Sequence, residues 1–149
     1  MARYLVSTEL LVDFIYGGAP DTLAGMHPRD LAVSALSFEF ILAEIEGNSA
    51  LTPVARRQWR SNVVQFRQRL RATGGEIINI SERTLEKWGQ VWNLNLSHTY
   101  SYAEGAVEMS SEERLVVATA SAEGLIYLTP QRDWNAEIEN KLQLVVQVV

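Results

Sequence analysis

Ten residues near the start, Tyr4 to Asp13, read YLVSTELLVD. A short apolar run leads into Ser-Thr-Glu, and an apolar helical rhythm follows. A buried strand running into a helix in this way is a place where many enzymes keep a catalytic acid. Here Ser7 stands at the strand tip, a residue type that can instead cap the helix by accepting from its free amides. Glu9 falls in the first helical turn, where the helix dipole favours a negative charge. A second chemical feature is basic. Arg56, Arg57, Arg60, Arg67, Arg69 and Arg71 crowd a stretch that has no acid between Glu46 and Glu76. On a chain of net charge −5, such a segment points to a local anionic partner, a phosphate or an acidic peptide.

Other chemistries lack their residues. There is no cysteine, which excludes disulfides, thiolate metal sites and cysteine nucleophiles. His27 and His98 are far apart, each without a nearby partner in sequence, and neither reads as a general base or ligand. YGGAP (16–20) and TGGE (73–76) lack the lysine and the strand-loop-helix setting of a phosphate loop. A length of 149 residues suits one compact domain, 1–149. Apolar content of 47% and charged content of 21% are those of a soluble globular protein. No apolar run approaches the roughly 18 residues of a membrane span, and MARYLVSTELLVDF has no cleavage pattern of a signal peptide. A cytoplasmic protein without membrane contact is the expectation.

The elements that must position these residues alternate. Residues 3–7 read as a strand, and 8–16 as a helix capped by Ser7 or Thr8 and stopped by Gly17-Gly18. A Gly/Pro-rich loop covers 17–28, and LAVSAL (31–36) is a strand that passes into SFEFILAEIEG, a helix ended by Gly47. Thr52-Pro53 starts a helix to about Thr73, EIINI (76–80) is a strand, and Ser81 caps a helix to about Leu94. The stretch 95–109 reads as irregular. Residues 110–124 form a helix with a Ser110/Glu113 capping box, 125–128 a strand, Thr129-Pro130 opens a short helix, and LQLVVQVV closes the chain as a strand. Strands that are short and apolar on both faces, alternating with helices, predict an α/β fold. Its centre is a parallel sheet of about five strands with helices on both faces.

Three strings carry a family resemblance. YLVSTELLVD resembles the strand ending in Asp-Thr-Asn, and the helix after it, of PIN domains of the toxin-type ribonucleases in bacterial toxin–antitoxin pairs. VSALSFEFI (33–41) resembles their Ser-x-x-Ser/Thr-x-x-Glu. ERLVVATASAEGLIYLTPQRDW (113–134) resembles their Asp-x-x-Ile-Ala-Ala-Thr-Ala, followed by Gly, a strand and Thr-Gly-Asp-Arg-Asp-Phe. The resemblance covers nearly the whole chain and implies a PIN-like fold. It also implies acids at the carboxyl rim of the sheet that hold Mg²⁺ or Mn²⁺ for attack of water on RNA. At the four acid positions this chain has Ser7, Phe40, Glu113 and Gln131. One carboxylate remains.

The expectation is therefore a PIN-like domain with a degenerate metal site and no cofactor, acting through RNA or protein binding. The alternative is a working Mg²⁺- or Mn²⁺-dependent endoribonuclease in which Glu9, Glu44, Asp133 and Glu113 form a relocated cluster. Glu44 would serve because it lies about 5.4 Å along its helix from the Phe40 position. Glu113 equally suits its capping box, and Glu39 and Glu46 suit a solvated face. Around the 53–73 helix, Arg56, Arg60, Arg67 and Arg71 share one broad face, with Arg57 and Arg69 further round, and Val63, Val64, Phe66 and Leu70 supply an apolar side. That face is solvated, binds RNA phosphates, or meets a protein. The resemblance implies that this helical region helps form a homodimer or hold an antitoxin segment. Trp59, Trp88 and Trp92 read as core or as a dimer contact.

Overall fold

The computed structural model describes residues 2–17 and 25–149; the rest of the Gly/Pro-rich loop, with Gly18, lies outside them. Strand β1 (Tyr4–Val6) leads into helix α1 (Thr8–Ile15), and a short 3-10 turn (Pro28–Asp30) leads into β2 (Leu31–Ser34) and α2 (Ala35–Gly47). Helix α3 (Pro53–Ala72), β3 (Glu76–Ile78) and α4 (Glu82–Trp92) follow, then a small antiparallel pair, β4 (Ser97–His98) and β5 (Val107–Glu108). Helix α5 (Ser111–Glu123), β6 (Ile126–Thr129), α6 (Asn135–Leu142) and β7 (Val146–Val148) complete the chain.

Five strands make a parallel sheet in the order β3-β2-β1-β6-β7. Side chains alternate across a strand, and here both sets are apolar. Leu5, Ala32 and Tyr127 face a core built with Val91, Val116, Val117, Ala120 and Ile138, from α4, α5 and α6. Val6, Val33 and Leu128 face the other core, with Leu10, Leu11, Phe38, Ile41, Val63 and Leu70 from α1, α2 and α3. Neither face can meet water, which is why helices cover both.

The helix starts follow the sequence signals. Ser7 accepts from the Leu10 amide at 3.2 Å, and Ser34 from Leu36 at 3.2 Å. Thr52 accepts from Ala55 at 3.1 Å, ahead of Pro53 at the first position of α3. Thr52→Ala is expected to lower stability by about 1 kcal/mol, read from urea unfolding, because it removes that cap and nothing else.

Three expectations change. Residues 95–109 are not wholly irregular, since β4 and β5 pair there. Thr129-Pro130 does not open a helix. The Asn135 amide donates to the Arg132 carbonyl at 3.1 Å and its side chain to the Pro130 carbonyl at 3.2 Å, so 130–134 fold as a turn and α6 starts at Asn135. The Ser110/Glu113 capping box is half made: Ser110 accepts from the Glu113 amide at 3.1 Å, while the Glu113 carboxylate points elsewhere.

The tryptophans divide. Trp88 packs against the core, whereas Trp92 is half exposed at its edge, with ring centres 5.3 Å apart. Trp59 lies half exposed against Tyr16, also at 5.3 Å.

Candidate functional site

The carboxyl ends of β1 and β6 open on a cavity of about 520 Å³. Its floor includes Ser7, Thr8, Glu113, Tyr127 and Thr129, and Glu9 and Glu44 stand at its sides. Tyr100, Tyr102, Val107 and Met109, from the segment carrying β4 and β5, make a wall, and Trp134 adds to it.

Glu113 is the half-buried acid at the centre of the site. Its two carboxylate oxygens lie 3.3 and 3.4 Å from the Thr8 amide at the start of α1, and the Tyr127 hydroxyl donates to one of them. Burial raises its pKa above the ordinary glutamate range, the bonds from Tyr127 and Thr8 work against that shift, and the Glu9 charge adds to it. Tyr127 is pushed up in turn by burial and by the Glu113 carboxylate. Burial thus moves both groups of the pair upward from their ordinary values.

Glu9 is held by Arg132. The Arg132 Nε donates to Glu9 at 3.1 Å and one terminal nitrogen donates to the other carboxylate oxygen. Asp13, one turn along α1, has its pKa raised by burial first and by the Glu9 charge second, with Arg132 opposing. Glu44 projects from α2 into the same cavity. Beside it Phe40 lines a side hollow with Thr8 and Glu112, an apolar ring where the resemblance places an acid.

The other positions lie off the cavity. Gln131 is exposed. Asp133 accepts from the Thr99 amide at 3.1 Å, and its own amide donates to His98 Nδ1 at 3.0 Å. Asp133 therefore ties the turn after β6 to β4, and His98, without a partner in the local sequence, has one in the fold. The proposed relocated cluster is accordingly divided: Glu9, Glu44 and Glu113 share the cavity and Asp133 does not.

Hard divalent cations require several free oxygen ligands. Ser7 caps α1, Phe40 offers no donor, Glu113 is bonded twice over, and Glu9 is held by a cation whose charge opposes a second one. Among the described residues no three His, Asp or Glu side chains stand where they could hold a metal ion. Of the cavity's acids Glu44 alone has no hydrogen-bond or ion-pair partner among the described residues, and one free carboxylate does not make a site for Mg²⁺ or Mn²⁺.

Three of the six arginines of α3 have partners within the chain. Arg56 donates to the carbonyls of Ile45 (3.3 Å), Asn48 (3.0 Å) and Leu51 (3.4 Å), in the last turn of α2 and the turn that follows it. Arg60 pairs with Glu46 at 3.1 Å, and Arg67 lies 3.9 Å from Glu39 and over the Phe38 ring. Arg71, Arg57 and Arg69 are exposed.

Sequence reasoning gave no role to Tyr127, Arg132 or Arg114. Tyr127 is a phenol inside the apolar string LIYL, and Arg114 a lone charge among the buried apolar residues of α5. Both were visible as polar groups that a two-sided core would have to satisfy.

No protein-family model and no curated protein matches the sequence. Solved structures match the fold over its full length. VapBC2 from Rickettsia felis, bound to a DNA fragment from its promoter, superimposes with a TM-score of 0.68 at 16% identity, covering 98% of each chain. FitAcB from Neisseria gonorrhoeae gives 0.65 at 14%, covering 96% of this chain and 95% of that one. DNA-bound VapBC from Salmonella typhimurium gives 0.64 at 10%, covering 99% and 98%. The shared feature is the PIN-like fold, a five-stranded parallel sheet between helical layers.

Proposed function

We propose that this chain is a PIN-like domain of the toxin type that works by binding rather than by metal-dependent cleavage, with a protein of the antitoxin kind as its partner. The state of the cavity's acids carries this reading. Glu113 is half-buried and already accepts from Tyr127 and Thr8, and Glu9 is paired with Arg132. Neither is free to hold the ion that would activate water.

Protein is favoured over RNA because Arg56, Arg60 and Arg67 already have partners within the chain, which leaves fewer charges to exchange for phosphate counterions. VapBC and FitAB complexes share the fold, in keeping with a partner of that kind.

One observation supports the second reading, an active endoribonuclease: Glu9, Glu44 and Glu113 line a single cavity. The decisive assay is RNA cleavage with and without millimolar Mg²⁺ or Mn²⁺. No metal-dependent cleavage is expected, and RNA retention on a filter should be unchanged by Arg60→Ala with Arg67→Ala. Cleavage that needs Mg²⁺ or Mn²⁺ and disappears in Glu113→Gln would establish the ribonuclease instead. For the partner, the small protein encoded by a neighbouring reading frame should co-purify with this chain when the two are expressed together.

A further inference from the structure

Arg132 leaves the turn after β6 and reaches the first turn of α1, 123 residues away in sequence. Its Nε donates to Glu9 Oε2 at 3.1 Å and Nη2 donates to Oε1, the two-pronged match of guanidinium and carboxylate. Its Nη1 donates to the Gln131 carbonyl at 2.7 Å, and its guanidinium carbon lies 5.1 Å from the centre of the Tyr100 ring. The Arg132 side chain is 18% exposed. Most surface ion pairs are single, mobile contacts of little consequence. This one is forked, stacked on an aromatic ring and set beside a cavity that Glu44 and Glu113 also face.

The geometry points to Arg132 as the cleft's resident cation, occupying by a permanent covalent tether the electrostatic role that a divalent ion would otherwise take at this acidic rim. The inference rests on the binding reading above and supplies its cause. A guanidinium fixed in place needs no dehydration on each encounter, whereas Mg²⁺ sheds its water reluctantly. Tethering also holds it at a high effective concentration beside Glu9. Once the fork is closed, a second cation meets a neutralised carboxylate and a like charge.

Removing the fork should open the position to an ion. Arg132→Gln keeps a side chain of similar reach but no charge, and frees Glu9 next to Asp13. Its thermal midpoint is expected to fall below that of the wild type in metal-free buffer and to recover on addition of millimolar Mn²⁺ at matched ionic strength. The wild-type midpoint should not respond. Calorimetric Mn²⁺ affinity should be about tenfold or more higher in the variant, in line with the loss of a charge-assisted forked pair. Arg132→Lys, which keeps charge but loses the fork, should give a smaller rise and carries the comparison if Arg132→Gln fails to fold. Adding Glu9→Gln to either variant should abolish the response.

Tight Mn²⁺ binding by the wild type would overturn both this inference and the binding reading. A wild type and Arg132 variants that are equally indifferent to Mn²⁺ would overturn the inference alone. So would a response that survives Glu9→Gln, since the ion would then sit elsewhere.

Discussion

Arg114→Ala is expected to cost about 2–4 kcal/mol of unfolding free energy, the largest loss anticipated for any single substitution outside the apolar core. The guanidinium is buried at one end of α5, with its side chain 4% exposed. It donates to the Val91 and Leu94 carbonyls at 2.9 Å each and to the Met109 carbonyl at 3.2 Å. Val91 and Leu94 stand at the C-terminal end of α4 and Met109 at the end of the 95–109 segment, so one side chain fastens that segment to α4 as well as α5. Its pairing with Glu108 at 3.0 Å adds little, because Glu108 is 74% exposed and screened. Alanine leaves both a void and carbonyls without their donor. Arg114→Met separates the two, since it restores volume but none of the bonds, and should recover less than half of the loss. Urea unfolding measures both, and hydrogen exchange should quicken over 97–109, which supplies Tyr100, Tyr102, Val107 and Met109 to the cavity wall. Wild-type stability in Arg114→Ala would mean that this segment is held by something else.

Arg114 also marks the boundary of what the sequence could reveal. Short strands apolar on both faces required helices on both sides, and the Ser7, Thr52 and Ser81 caps located three helix starts through local bonds of a few residues' span. Glu113 was recognisable as an acid at the site, but its alternatives were not separable. A Ser at 110 and a Glu at 113 spell a capping box in any helix, and only the approach of Thr8, 105 residues away, and Tyr127 from the next strand draws the carboxylate inward. The contacts of Asp133 are hidden for a similar reason: its partners, His98 and Thr99, come from a segment with no periodic signal. The arginines of α3 formed the broad face that helical geometry dictates. That Arg56 would turn back to the carbonyls ending α2, and Arg60 and Arg67 to Glu46 and Glu39, depended on how α2 and α3 pack. Local chemistry is legible in a sequence, whereas long-range pairing of charges waits for the fold.

Long-range pairing at Glu113 has a consequence measurable through pH. Burial lifts its folded-state pKa above the ordinary value of 4.5. Between those two values the folded protein keeps a proton that the unfolded chain has released. The stability linked to Glu113 is therefore fully present below about pH 4.5 and is lost as pH rises through the folded value. The slope for one proton is at most about 1.4 kcal/mol per pH unit. Glu113→Gln should remove it, since glutamine is neutral at every pH and its amide oxygen still accepts from Tyr127. Asp13 is raised in the same direction, by burial and then by Glu9, so Asp13→Asn is the control that apportions the remainder. Tyr127→Phe acts oppositely to Glu113→Gln. The Tyr127 bond lowers the Glu113 pKa, so losing that donor lifts the value further and stretches the window in which stability declines. Urea unfolding of the four proteins from pH 4 to neutrality, at about 0.1 M salt to screen the surface charges, gives the comparison as wild type minus variant. A flat difference for Glu113→Gln would mean that this carboxylate ionises in the fold as freely as in the open chain, and the upward shift caused by burial would have to be abandoned.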